Sequence, residues 1–159
     1  MPVILVVCTG NLCRSPMVAG LLREQLSRDT GRRDWRVVSA GVWTEDGRPA
    51  SPYAVDEMAQ RGIDIGDHRS RNITRQMMAE ADLVLVMTRQ HASALGAAFP
   101  EYLHKVYLLS EMVGLEYDIQ DPYGGTRGDY ARTAQELSAL IEKGYDRIVS
   151  LVEKGASQH

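Results

Sequence analysis

The amino-acid sequence predicts an α/β fold: a single domain with a doubly wound, parallel, four-stranded sheet and helices on both faces. Short apolar runs rich in β-branched residues recur along the chain, and such runs are typical of strands buried on both faces. Between them lie segments whose apolar residues repeat at helical spacing. Strands that alternate with helices pair in parallel through right-handed connections. This pattern favours the strand order 2-1-3-4.

Length and composition describe one ordinary globular domain. The chain has 159 residues, 44% of them hydrophobic and 25% charged, so we expect one domain over residues 1–159. The formal net charge of −3 provides no basic face for nucleic acid. The N-terminal apolar run stops at Cys8, too early for a signal-peptide core or a membrane span. We therefore expect no membrane contact and a cytoplasmic location, where thiols stay reduced.

The first strand and the loop after it carry the main functional signal. Val3 to Val7 predict a buried strand that leads directly into Cys8. After a turn that contains glycine, Ser15 is a typical N-cap and Pro16 a typical first helical residue, so a helix is expected over 16–29. Cys8 then lies at the carboxyl end of the strand, which is the edge of an open α/β sheet where ligands bind.

This loop has the parts needed to bind and attack an oxyanion. Its backbone N–H groups converge near a helix N-terminus, and Gly10 and Asn11 accept the backbone conformations that such a loop requires. Thiolates are stabilised in this setting, so Cys8 is a candidate nucleophile, and the Ser15 hydroxyl can donate to its sulfur. Arg14 supplies a planar fork for two phosphate oxygens. A thiolate and an arginine are the minimum for covalent phosphoryl transfer without a metal ion.

The remaining elements follow from the same patterns. Thr74 and Thr88 are predicted N-caps, and Gly155 is expected to end the last helix, leaving residues 155–159 as a disordered tail. His91 and His104 have no partner pattern and are predicted to lie on the surface. In chain order the predicted elements are strands at 35–40, 82–87 and 105–109 and helices at 52–61, 75–81, 89–97 and 130–154.

Both cysteines lie in the loop after the first strand, with four residues between them. This spacing excludes a disulfide framework and a zinc cluster, and it does not match a Cys-x-x-Cys redox motif. Cys13 is then either a structural thiol or the partner that traps oxidised Cys8 in a reversible disulfide. The shared loop favours the disulfide.

Two other loops are expected at the same edge of the sheet. Residues 41–51 place Trp43 among polar residues, where it either covers a hydrophobic edge or flanks the Cys8 loop and stacks on an aryl substrate. Residues 111–130 show no periodic element. They contain Asp121, followed by a proline and two glycines that permit movement. A carboxyl group on a mobile loop can protonate a leaving oxygen, and Asp129 is better placed to cap the last helix, so Asp121 is the candidate general acid.

Four motifs resemble those of the low-molecular-weight protein tyrosine phosphatases, and the likeness covers residues 2–153. In order they are Cys8-Thr9-Gly10-Asn11-Leu12-Cys13-Arg14-Ser15-Pro16, Ser39-Ala40-Gly41, Ala81-Asp82-Leu83-Val84-Leu85-Val86-Met87 and Asp121-Pro122-Tyr123. The resemblance implies hydrolysis of phosphotyrosine through a cysteinyl-phosphate, with no metal ion or cofactor. Cys8 is then the nucleophile, Arg14 holds the phosphate, and Asp121 is the general acid and base. The residues expected to bind substrate are Thr9, Gly10, Asn11, Leu12, Cys13, Ser15, Trp43 and Tyr123.

The resemblance also implies a supporting hydrogen-bond network. It would hold Asn11 in its strained conformation and orient Ser15 towards the thiolate. Its members would be Asn11, Ser15, Ser39 and His68. The family places an aromatic or apolar residue near Trp43, which favours a pocket wall there. We expect a phosphorylated protein as substrate, and a monomer or weak dimer.

Three alternatives remain. A protein-arginine phosphatase branch of the same family carries threonine where this chain has Leu12, and phenylalanine where it has Tyr123, so Leu12 favours the tyrosine branch. Arsenate reduction shares the fold and the loop, but it needs further cysteines to relay a disulfide, and this chain has only Cys13 besides Cys8. A non-catalytic phosphate-binding or redox-sensing module would be favoured if Asp121 lay far from Cys8.

Overall fold

The computed structural model describes residues 1–158 and contains the expected sheet. Four strands pair in parallel in the order β2-β1-β3-β4, which confirms the predicted topology. In the register between β1 and β2, Cys8 lies opposite Gly41. The strands are β1 (Val3–Cys8), β2 (Arg36–Gly41), β3 (Leu83–Val86) and β4 (Val106–Leu108).

Five α-helices connect and cover the strands. They are α1 (Arg14–Ser27), α2 (Pro52–Ala59), α3 (Arg75–Glu80), α4 (Arg89–Ala98) and α5 (Arg127–Ala156). Two short 3₁₀ segments flank β4, at Pro100–Lys105 and Leu109–Val113. Within residues 1–158, none of the helices has both the length and the apolar character needed to cross a bilayer.

The central strand β1 is buried on both faces, as a parallel sheet requires. Ile4 and Val6 belong to a core cluster shared with α1, α2 and α5. Leu5 and Val7 belong to a second cluster shared with α3 and α4. Because successive side chains of a strand point to opposite faces, the two clusters lie on opposite sides of the sheet. Helices therefore cover both faces, as predicted.

The start of α1 differs from the prediction. The helix begins at Arg14 rather than at residue 16, and its N-cap is Cys13, so the prediction that Ser15 caps this helix is wrong. The Ser15 hydroxyl instead lies 3.0 Å from the Cys8 sulfur, inside the curve of the loop. This is the predicted contact between the Ser15 hydroxyl and the sulfur, so only the capping role of Ser15 is corrected. By contrast, Thr74 and Thr88 are the N-caps of α3 and α4, as predicted.

The last helix differs from the prediction at both ends. Its N-cap is Thr126, and Asp129 is the third helical residue of the same capping box, so the prediction that Asp129 is the N-cap is wrong. The helix continues past Gly155 to Ala156, which contradicts the predicted disordered tail over residues 155 and 156. A Cβ at Gly155 would collide with the carbonyl oxygen of Asp82, so this glycine serves close packing rather than helix termination. Residue 159 lies outside the described residues.

Close packing of α5 also depends on Gly144. A Cβ at this position would lie 2.6 Å from the Cβ of Met112, in the 3₁₀ segment after β4. Gly144→Ala gains helix propensity, yet overpacking a core contact costs about 1–3 kcal/mol. We expect a net loss of about 1 kcal/mol, seen in thermal unfolding as a Tm lower by about 2–4 °C.

Gly128→Ala is the matched control, because it lies in the first turn of the same helix and its added Cβ would come no closer than 3.6 Å to another atom. This variant should be at least as stable as the wild type. A Gly144→Ala protein with an unchanged or higher Tm would show that α5 and the 3₁₀ segment do not pack so closely.

Candidate active site

The loop of residues 8–15, which we call the Cys8 loop, connects β1 to α1 at the carboxyl edge of the sheet. Among residues 1–158, Asn11 is the one non-glycine residue with positive φ, at 57°. This left-handed conformation is strained for most residues, although asparagine tolerates it better than most. The loop therefore needs support from its surroundings to hold its shape.

That support is a set of hydrogen bonds around Asn11. Its side-chain Nδ2 donates to Ser15 Oγ at 2.8 Å and to Ser39 Oγ at 3.0 Å. Its Oδ1 accepts from the backbone N–H of Arg71 at 3.0 Å, and its backbone carbonyl lies 2.7 Å from His68 Nε2. Because a carbonyl only accepts, His68 Nε2 must carry a proton. Burial and nearby arginine charges lower the pKa of His68, which favours the neutral ring. The structure thus brings together the four residues expected to form the network.

Gly41 is the last residue of β2 and lies beside the Cys8 loop, where there is no room for a side chain. A Cβ at Gly41 would lie 2.6 Å from the carbonyl oxygen of Thr9. With no side chain in the way, the backbone N–H groups of Val42 and Trp43 donate to the carbonyls of Cys8 and Thr9. These bonds turn the first carbonyls of the loop towards β2.

The Cys8 sulfur is buried and has a hydrogen bond with the Ser15 hydroxyl. The residue is only 2% exposed, and its Sγ is 3.0 Å from Ser15 Oγ. Ser15 Oγ already accepts a hydrogen bond from Asn11 Nδ2, so the Ser15 hydroxyl can itself donate a hydrogen bond to the sulfur. The network around Asn11 therefore reaches the candidate nucleophile.

Arg14 is buried and only partly satisfied. Its Nη1 donates to the carbonyl of Ile119 at 2.8 Å, and its Nη2 lies 3.4 Å both from Thr9 Oγ1 and from Asp121 Oδ2. Within the described residues its buried Nε has no hydrogen-bond partner. A buried guanidinium N–H without an acceptor is costly, and an oxyanion would satisfy it. The donor set of this arginine therefore fits a phosphate group.

Asp121 lies across the Cys8 loop, on the segment before α5. Its Oδ1 accepts the backbone N–H of Tyr123 at 3.0 Å, and its Oδ2 faces Arg14. The side chain is 43% exposed, so it can exchange protons with solvent. Asp121 and Cys8 line the same cavity, so the carboxyl group is not remote from the sulfur.

The cavity has a volume of about 450 Å³ and opens above the Cys8 loop. Trp43 and Tyr123 line its mouth and are 82% and 57% exposed, so neither of them covers a hydrophobic core. Leu12 also lines the cavity and is buried. The exposed part of the lining is therefore mixed: besides the two aromatic side chains it includes the charged residues Glu45 and Arg48. Across residues 1–158, no group of His, Cys, Asp or Glu side chains is arranged to hold a metal ion.

Cys13 also lines this cavity, as predicted for a substrate-binding residue, and is buried. Its sulfur lies 3.1 Å from Ser51 Oγ and 3.3 Å from the hydroxyl of Tyr130. Burial raises the pKa of the Cys13 thiol, against the smaller opposite effect of these two hydrogen bonds. Both cysteines are free thiols here. A regulatory disulfide between Cys8 and Cys13 stays a prediction.

His91 is the residue that sequence reasoning missed. It was predicted on the surface, but it is 3% exposed and its Nε2 lies 2.8 Å from Thr9 Oγ1. Its Nδ1 accepts the backbone N–H of Thr88, in a capping box at the start of α4. The sequence signal for this capping box was a threonine followed, three residues later, by a side chain that can accept a hydrogen bond from the backbone N–H of the N-cap residue. His104, the second histidine predicted to lie on the surface, is exposed.

Comparison with known proteins agrees with this geometry. The family model described as low molecular weight phosphotyrosine protein phosphatase matches residues 3–155. A probable low molecular weight protein-tyrosine-phosphatase EpsP from Ralstonia solanacearum is 40% identical over 143 residues, 90% of each chain. A protein-arginine-phosphatase from Bacillus subtilis is 38% identical over 141 residues, 88% of this chain and 92% of the relative.

Solved structures give the same result. The crystal structure of a low molecular weight protein tyrosine phosphatase from T. tengcongensis superposes with a TM-score of 0.86. It is 43% identical in sequence, and the match covers 92% of this chain and 99% of that one. The chain therefore belongs to the low molecular weight phosphotyrosine protein phosphatase family, a family of hydrolases.

Proposed function

We propose that this chain hydrolyses phosphotyrosine in proteins through a cysteinyl-phosphate intermediate, without a metal ion. One observation carries the proposal: Cys8 and Asp121 line a single cavity together with the exposed Trp43 and Tyr123, and the Arg14 guanidinium lies 3.4 Å from the Asp121 carboxylate. In the proposed reaction Cys8, Arg14 and Asp121 supply a nucleophile, a cation and a proton donor to one phosphate group. The mouth offers flat surfaces for an aryl ring.

In the first chemical step, the Cys8 thiolate attacks phosphorus in line with the leaving oxygen. The S–P bond forms as the P–O bond to the tyrosyl oxygen breaks, while Arg14 and the backbone N–H groups of the loop stabilise the charge on the equatorial oxygens. Asp121 donates its proton to the departing phenolate. In the second step, Asp121 takes a proton from water as that water attacks phosphorus. Inorganic phosphate leaves and the thiolate is restored.

The depth and lining of the cavity favour an aryl substrate. Cys8 is nearly inaccessible at the bottom, so the phosphate must be carried on a group long enough to reach it. Leu12 would contact the ring near the phosphate, and Trp43 and Tyr123 would flank it at the mouth. Aromatic side chains that are exposed before substrate binds gain buried area when a ring stacks on them.

A protein-arginine phosphatase is the second candidate. The relative from Bacillus subtilis that carries this name is nearly as similar to this chain as the tyrosine phosphatase from Ralstonia. Leu12 and Tyr123 favour the aryl substrate, because apolar and aromatic side chains suit a phenyl ring. Glu45 and Asp121 line the same cavity and are carboxylates that complement a guanidinium group, which keeps the second candidate open. Arsenate reduction is less well supported, since two cysteines leave none beyond Cys13 to relay a disulfide.

The setting of the enzyme is also a proposal. A nucleophilic thiol has to stay reduced, which supports a cytoplasmic location. The net charge of −3 supports a phosphorylated protein rather than a nucleic acid or an anionic membrane as partner. A monomer or weak dimer suffices, because the residues assigned to the site all come from one chain.

The nucleophile and the substrate class can be tested together. Cys8→Ser should lower hydrolysis of an aryl phosphate by more than about 10³-fold, because a serine hydroxyl in the same place is not ionised. The wild type should prefer the aryl phosphate to phosphoarginine and should be insensitive to a chelator. Leu12→Thr should shift this preference towards phosphoarginine. Steady-state kinetics on both substrates measures each effect.

A wild-type preference for phosphoarginine would replace the tyrosine assignment with the arginine one. Equal activity of the wild type and Cys8→Ser would reject the cysteinyl-phosphate mechanism.

The role of Asp121 predicts a dependence on the leaving group. Asp121→Asn should slow phenyl phosphate by about 10²–10³-fold, because phenolate needs a proton as it departs. A nitrophenyl phosphate, with its better leaving group, should lose far less. Asp56→Asn is the matched control: its carboxylate is 50% exposed and pairs with Arg127, yet it does not line the cavity. Equal losses on both esters in Asp121→Asn would show that this residue is not the general acid.

A further inference from the structure

His91 is tied to two elements at once. Its Nδ1 lies 3.2 Å from the backbone nitrogen of Thr88 at the start of α4. Its Nε2 lies 2.8 Å from Thr9 Oγ1 in the Cys8 loop. Through these two contacts the buried ring connects the capping box of α4 to the Cys8 loop.

These contacts decide which ring nitrogen carries the proton. A backbone N–H can only donate, so Nδ1 must be the acceptor and must be unprotonated. A histidine always has at least one protonated nitrogen, so the proton is on Nε2. The hydrogen bond to the loop therefore runs from His91 Nε2–H to Thr9 Oγ1. If Thr9 donated to Nε2 instead, the proton of the neutral ring would lie on Nδ1, and this N–H would face the backbone N–H of Thr88 with no acceptor between them.

Thr9 Oγ1 also faces Arg14, whose Nη2 donates to it at 3.4 Å. The oxygen then accepts from His91 on one side and from Arg14 on another, which uses both of its lone pairs. Its own proton has to point away from these two donors. Within residues 1–158 this proton has no acceptor, and Thr9 lines the cavity beside Cys8 and Asp121.

We propose that the Thr9 hydroxyl donates a hydrogen bond to an oxygen of the phosphoryl group on Cys8, and that His91 is the positioning residue that gives this hydroxyl its direction. The inference rests on the proposed function, because that function supplies the phosphoryl group. It adds a side-chain donor to the backbone amides and Arg14. His91 itself does not touch the substrate.

Neutrality of the ring is part of this arrangement. Burial lowers the pKa of His91 to about 4, and the charge of Arg14 acts in the same direction. Asp121 and Asp118 also face the ring and act weakly in the opposite direction. At neutral pH the ring therefore keeps one donor and one acceptor.

A capping function alone would not require this residue. Glutamate or glutamine at the third helical position completes a capping box equally well. Glutamate could not donate to Thr9, however, because an ionised carboxylate only accepts. Histidine and glutamine can both accept at Thr88 and donate at Thr9. This difference allows the cap and the positioning role to be separated.

The test is a double-mutant cycle on kcat, KM and inhibition by inorganic phosphate. Thr9→Val keeps the shape of the side chain and should lower kcat/KM for an aryl phosphate by about tenfold or more, with most of the change in kcat. His91→Leu should lower kcat/KM by about fivefold or more in the wild-type background and by less than about twofold in the Thr9→Val background. His91→Gln should restore much of the loss, and Tm values report the folding of each variant.

His104→Leu is the matched control, because it removes an exposed histidine at the opposite edge of the sheet and should leave kcat/KM unchanged. Wild-type kcat/KM in Thr9→Val would overturn the inference, and so would an equal effect of His91→Leu in both backgrounds. If His91→Leu does not fold, the kcat/KM values of Thr9→Val and of His91→Gln still test the inference. Loss of activity in Cys8→Ser together with full activity in Thr9→Val would keep the proposed function and reject this inference.

The neutral ring makes a separate prediction about stability. The pKa of His91 is about 4 in the folded protein and 6.5 when it is unperturbed. In the window between these values the unfolded chain binds a proton at this residue and the folded chain does not. Stability must therefore fall as the pH drops from 6.5 towards 4. The Tm of His91→Gln should fall less steeply over this window than that of the wild type, and equally steep curves would contradict a neutral, buried His91.

Discussion

The left-handed backbone of Asn11 is the constraint on which the site depends. It lies in the short loop that turns the chain from β1 into α1, and a left-handed residue in such a turn is what allows successive backbone N–H groups to point at an anion. This conformation is unfavourable by itself, so Ser39, His68 and the backbone of Arg71 hold Asn11 from three directions. Much of the polar structure at this edge of the sheet exists to keep one residue in a strained state.

Parallel topology explains how distant segments reach that loop. Every strand ends at the same edge, so the segment after β2 brings Trp43, α4 after β3 brings His91, and the segment after β4 brings Asp121. No two of these segments are neighbours in sequence. Each contributes one or two groups, and the sheet aligns them.

Local patterns predicted what local energetics decide. The four apolar runs became the four strands, and Thr74 and Thr88 became N-caps, because burial and capping act over a few residues. Three local predictions were wrong, namely the N-cap at Ser15, the surface position of His91 and the helix end at Gly155, because other contacts override those preferences. Ser15 bonds the sulfur instead of capping α1, His91 is buried against Thr9, and Gly155 lies inside α5 where the helix meets Asp82. The loop motif predicted Cys8 as the nucleophile and Arg14 as the phosphate ligand, and both roles stay predictions, whereas the hydrogen-bond partners of each residue required coordinates.

The site is divided into a rigid floor and an accessible rim. Cys8, Asn11 and Arg14 are almost fully buried, and each is held by hydrogen bonds from side chains or backbone. Trp43 and Tyr123 are largely exposed and are set by loops. Substitutions at the rim change what fits above the phosphate without disturbing the groups that act on it. A division of this kind lets one set of phosphate-binding groups serve different substrates, and this chain has relatives of nearly equal similarity that are named for tyrosine and for arginine substrates.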